Sequence, residues 1–95
     1  MNKYEAMFII KPDLSEEDKK NLFTQLGDII TKHHGNISNA AVWQERKKFI
    51  FPIQKYVEGV YYLIVFTLAP DAVKDIRNAY KLNENILRVM ITAQE

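Results

Sequence analysis

At 95 residues, the chain is read as one domain, 1–95, with room for one ordinary core and no need of staples. An apolar fraction of 47% suits a globular protein, and the absence of cysteine excludes a disulfide framework and thiolate metal sites. A net charge of +1 excludes a protein that wraps nucleic acid all over, so any such affinity has to come from a local basic patch.

No stretch approaches the roughly 20 consecutive apolar residues of a membrane span, so no membrane partner is expected. The start, Met1-Asn2-Lys3-Tyr4, lacks the pattern of a signal peptide, and a cytoplasmic address follows as the expectation.

Tyr4 to Ile10 is short, aromatic and aliphatic, and Pro12 closes it, which predicts a first strand. Ser15 is a good N-cap, and Glu16, Glu17 and Asp18 follow in a first turn where the helix dipole favours anions. Leu22, Phe23, Leu26, Ile29 and Ile30 then recur at helical spacing. Gly35 is placed to stop this helix, after Lys32, His33 and His34. Ile37, Ala40, Val42 and Trp43 predict a second strand that continues through Phe49-Ile50-Phe51. Pro52 cannot donate to a ladder, so that strand belongs at a sheet edge or ends there.

Gly59 opens a third strand, Val60 to Phe66, of high strand propensity. Ala69-Pro70-Asp71 turns into a second helix whose apolar stripe is Val73, Ile76 and Tyr80, and Ile86 to Thr92 is a fourth strand. The order strand, helix, strand, strand, helix, strand predicts an α+β, ferredoxin-like βαββαβ sandwich. Its four-stranded antiparallel sheet carries both helices on one face.

A sheet covered on one side should alternate apolar and polar. Here the third strand is apolar on both sides, Val60, Tyr62, Ile64 and Phe66 against Tyr61, Leu63 and Val65. In the fourth, Arg88 interrupts the row Ile86, Met90 and Thr92, while Leu87, Val89 and Ile91 form the other. The uncovered face is therefore expected to be apolar enough to need a partner.

Catalytic chemistry is sparse. His33 and His34 are adjacent, so on a helix they point about 100° apart and cannot share a metal. Neither Ser15 nor Ser38 has a nucleophile's context, and the glycines lie too far apart to cradle phosphate. The chain reads as a non-enzyme with no metal, no cofactor and no small-molecule substrate.

These residues resemble the family of bacterial small-subunit ribosomal protein six over nearly the whole chain. The resemblance rests on Tyr4-Glu5, Lys11-Pro12-Asp13-Leu14, the basic run Arg46-Lys47-Lys48 into Phe49-Ile50-Phe51-Pro52-Ile53-Gln54-Lys55, Gly59-Val60-Tyr61, and Leu82-Asn83-Glu84-Asn85-Ile86-Leu87-Arg88. It implies a structural constituent of the small ribosomal subunit that binds the central domain of 16S rRNA with the eighteenth small-subunit protein. Two departures stand out. Trp43 is displaced by one residue from the Trp-Gly that members often carry, which would reverse its face unless a bulge absorbs the shift. Phe51 stands where a tyrosine is usual.

For RNA contact the candidates are Lys3, Tyr4, Arg46, Lys47, Lys55 and Arg88. Arg88 leads, as the one cation in an apolar strand with a planar fork suited to phosphate. Its bland alternative is an edge-strand charge that discourages aggregation or pairs with Glu5. Lys74, Arg77 and Lys81 share one side of the second helix and read as a solvated outer face. Trp43, Phe49, Phe51 and Tyr61 are candidates for the protein-partner surface, two of them expected to be buried within the monomer.

Two other functions fit the same elements. An RNA-recognition-motif-like domain would bind single-stranded RNA unaided, with Met7-Phe8-Ile9 and Glu58-Gly59-Val60-Tyr61-Tyr62 as partial matches to its stacking motifs. A ligand-sensing regulatory domain would dimerise through its sheet and ignore RNA.

Overall fold

The computed structural model describes residues 1–94. Its elements follow the order read from the sequence: β1 (Asn2–Ile10), α1 (Glu16–Lys32), β2 (Asn36–Ile53), β3 (Tyr56–Leu68), α2 (Val73–Lys81) and β4 (Ile86–Gln94). A short 3-10 turn, Pro70–Ala72, leads into α2. The sheet is antiparallel with strand order β2-β3-β1-β4, which puts β2 at an edge, as Pro52 requires.

Alternate residues of β1 and β3 make the core. Tyr4, Ala6, Phe8 and Ile10 pair with Phe66, Ile64, Tyr62 and Val60, and all are buried against Leu22, Leu26 and Ile30 of α1 and Ile76 and Tyr80 of α2. Both helices therefore cover one face. The Tyr80 ring meets Phe8 edge-on at 4.7 Å, and its hydroxyl donates to the Leu26 carbonyl at 2.6 Å, tying α2 to α1. Burial pushes the Tyr80 phenol well above its ordinary pKa, because the interior penalises the phenolate.

Ser15 caps α1 as expected, its hydroxyl accepting from the Asp18 amide at 3.1 Å. The helix stops just ahead of Gly35, as expected. The left-handed residue is His34, with φ 67°, and not Gly35. The His34 amide donates to Thr31 and the Gly35 amide to Ile30, which together close a Schellman motif. Gly35 is needed for a different reason. A Cβ there would stand 2.6 Å from Ile30 Cγ2 and 2.9 Å from the Thr67 carbonyl. His33 accounts for itself locally, its Nδ1 lying 2.9 Å from the Ile29 carbonyl.

The β2–β3 hairpin is much longer than the flanking strands. β1 pairs only with residues 60–68 of β3, so the rest of the hairpin runs past the sheet as an arm. Its turn is two residues, Gln54 and Lys55, both at positive φ (48° and 75°), as a type I′ turn demands. Neither residue is the glycine or asparagine such turns prefer.

Candidate binding surface on the open sheet face

The face opposite the helices is lined by the other set of alternate residues. Across it run Met7 opposite Leu63 and Met90, Glu5 opposite Val65 and Thr92, and Ile9 opposite Tyr61 and Arg88. Met7, Leu63, Val65 and Tyr61 are half-buried and Met90 is 47% exposed. The expected apolar strip is present, partly exposed along β1 and β3 and open at Met90. Ile9 is the exception at 3% exposed, where the arm returns over the sheet.

Gly59 allows that return. A Cβ on it would meet Phe49 Cζ at 2.9 Å, the Ile10 carbonyl at 3.0 Å and Ile9 Cγ2 at 3.1 Å. Phe49 thus lies down beside Ile9, its ring centroid 6.3 Å from that of Tyr61. Between the arm and β4 this leaves a cleft of about 400 Å³, lined in part by Ile9, Tyr61, Phe49, Phe51, Lys47 and Arg88.

β2 reaches this arrangement through repeated register shifts, including one between Val42 and Gln44. That bulge absorbs the displaced tryptophan. Trp43 stands beside Tyr61 with ring centroids 5.8 Å apart, on the open face, and is 52% exposed. The Lys47 ammonium sits over both rings, 5.1 Å from Trp43 and 5.4 Å from Tyr61.

The remaining candidates divide. Arg88 is exposed and, among the described residues, forms no ion pair. Glu5, its suggested partner, instead accepts from Gln94 Nε2 at 2.6 Å. Lys3 is exposed at the opposite end of the face. Tyr4 must be corrected: it is 7% exposed and packs on Phe66 in the core, so its ring is not offered to RNA. Strand alternation put it on the helix side. Arg46 is engaged by Glu58 on the neighbouring strand. Lys55 is exposed in the hairpin turn.

Two further expectations change. None of Trp43, Phe49, Phe51 and Tyr61 is buried within the monomer, because three sit on the open face or arm and Phe51 is 79% exposed. Ile86 leaves the Arg88 row: a shift between Ile9 and Ile10 in the β1–β4 register turns it into the core. No signal in the sequence marked the cleft, because the pairing of Lys47 with Gly59 and the approach of Arg88 appear only in the structure.

Among the described residues no group of three or more His, Cys, Asp or Glu could hold a metal ion, and Glu16 is engaged with Lys19. No helix is long and apolar enough to cross a membrane. An apolar strip with cations at both ends, on one bare face of a two-layer βαββαβ sandwich, defines a small binding protein that works by contact.

Comparison with known proteins agrees. Residues 3–93 match the family model described as Ribosomal protein S6. A protein named small ribosomal subunit protein bS6 from Dictyoglomus turgidum is 37% identical over 95 residues, covering 100% of this chain and 97% of its own. Its namesake from Caldanaerobacter subterraneus subsp. tengcongensis is 36% identical over 91 residues, covering 96% of this chain and 95% of its own. The crystal structure of 30S ribosomal protein S6 from Thermotoga maritima superposes with a TM-score of 0.91 at 30% identity, over 98% of this chain and 87% of that one. The chain belongs to the ribosomal protein S6 family of the small ribosomal subunit. It is a structural ribosomal protein of the cytoplasm and not an enzyme.

Proposed function

We propose that the chain binds the central domain of 16S rRNA together with the eighteenth small-subunit protein, through the open face of its sheet. The observation that carries this reading is the strip of half-buried Met7, Leu63 and Val65 with exposed Met90, left bare by both helices and bordered by Arg88, which forms no ion pair among the described residues. Apolar side chains on a bare face favour a protein neighbour. Trp43 and Phe51, exposed toward the β2 edge, would anchor it. Arg88, Lys47 and Lys3 would meet phosphates, which need local cations and no large net charge.

The test is an electrophoretic shift on a central-domain rRNA fragment, with and without the partner. Binding should be weak alone and tight with the partner present. Tight, partner-independent binding to a short unstructured oligomer would instead favour the single-stranded RNA reading. A stable homodimer that responds to a metabolite and ignores rRNA would favour a regulatory domain. Within the proposed complex, Arg88→Ala with folding intact should weaken assembly by about 1–2 kcal/mol, as loss of a charged hydrogen bond does. Unchanged affinity across salt concentrations would remove Arg88 from the surface.

A further inference from the structure

The cleft under the arm differs chemically from the rest of the open face. Its floor is Ile9 and Tyr61, one wall is Phe49 and Phe51, and Arg88 closes it from β4. Among the described residues, the cations Lys47, Lys48 and Arg88 line it and no carboxylate does. Glu58, on the same hairpin, is held by Arg46. The strip of Met7, Leu63 and Val65 beside it carries no cation.

Resting on the reading that this protein meets rRNA, we infer that the cleft receives one unpaired nucleotide of that RNA. The base lies against the Tyr61 and Phe49 rings, and the phosphate is held between Arg88 and Lys47. This moves Phe49 and Tyr61 out of the protein-partner surface and into the RNA surface.

Three observations converge on it. A space of about 400 Å³ is within the range of small-ligand sites and has room for one nucleotide. Aromatic rings on a sheet are the usual platform for an unstacked base, which always has a π face to offer. The cations also come from two different strands, β2 and β4, which bring them to the cleft from opposite edges of the sheet. Lys47 is already drawn to the spot by its two aromatic neighbours, which keep the ammonium in place before RNA arrives. A protein segment would need carboxylates to match three cations, whereas RNA supplies its phosphate with every base.

The experiment assembles the chain and its partner on the rRNA fragment, irradiates the complex and maps protein–RNA crosslinks by mass spectrometry. A crosslink from Tyr61 or Phe49 to one unpaired nucleotide is expected. Replacing that nucleotide with an abasic residue should weaken binding about tenfold, the scale of one lost base stack. Tyr61→Leu keeps apolar bulk and should lose the same factor, and the two changes together should cost no more than one. If Tyr61→Leu alters the melting profile, the abasic RNA with the unaltered protein decides alone.

Crosslinks absent from Tyr61 and Phe49, or full affinity with the abasic RNA, would overturn the nucleotide site while the wider RNA reading stood. Crosslinks from Tyr61 to the partner protein would also overturn it, giving the cleft to protein. Failure of the unaltered pair to bind the fragment at all would remove the proposed function, and the nucleotide site with it.

Discussion

The two faces of this sheet are made by neighbouring residues of the same strands. On β3, Ile64 is fully buried under the helices, while Leu63 and Val65 on either side of it are only half-covered. Both sets are aliphatic, so composition does not separate them. What separates them is that α1 and α2 pack on one side alone. The covered face holds the fold, and the open face is left with apolar surface that the monomer has no means of burying. A sheet that served stability alone would carry polar residues there.

That contrast can be broken most sharply with adjacent residues. Ile64→Ala should destabilise by about 2–5 kcal/mol, the usual range for emptying a packed core site. Leu63→Ala should cost less, about 1–2 kcal/mol, since its side chain is only partly buried. Urea unfolding of the two variants measures the difference. Equal losses would mean that the open face is part of the core.

Gly59→Ala probes the place where the faces come closest in behaviour. Its new methyl would have to displace Phe49 or the Ile10 carbonyl. A destabilisation of about 1–3 kcal/mol is expected, with Phe49 lifted off Ile9. Proton chemical shifts of the Ile9 methyls, which sense a nearby ring, would report the movement.

Tyr80→Phe sharpens the covered side. Losing the bond to the Leu26 carbonyl should cost about 1–2 kcal/mol. The phenol's pKa is raised in the folded state, so the native chain holds this proton more tightly than the unfolded chain does. Its contribution is therefore complete below the unfolded value, near pH 10, and declines as the pH rises from there toward the folded value. Denaturation midpoints above pH 10 should fall less steeply in Tyr80→Phe than in the unaltered protein.

Much of the covered face was legible in the sequence. The apolar period of α1, the Ser15 cap and the doubled apolar rows of β3 all act locally, so pattern alone locates them. Errors arose where backbone detail decides. One extra residue between the Ile10–Ile86 and Ile9–Arg88 pairs moved Ile86 from one face to the other. Another shift put Trp43 beside Tyr61 despite its displaced position in the sequence. His34 takes the left-handed position at the end of α1, while Gly35 is required by the closeness of Ile30 and Thr67, a packing demand that pattern does not reveal. Tyr4 follows the plain alternation of β1 into the core, which removes its ring from the RNA candidates. The cleft was not legible at all. It depends on the arm folding back, and Gln54-Lys55 carries no turn signature to announce that hairpin.

The most direct measurement is hydroxyl-radical footprinting of side chains in the isolated chain and in assembled small subunits. Met90, Trp43 and Tyr61 should lose most of their reactivity on assembly, as the proposed attachment of neighbours to the bare face requires. If these three react as readily in the subunit as in the free protein, the sheet face is not the binding surface.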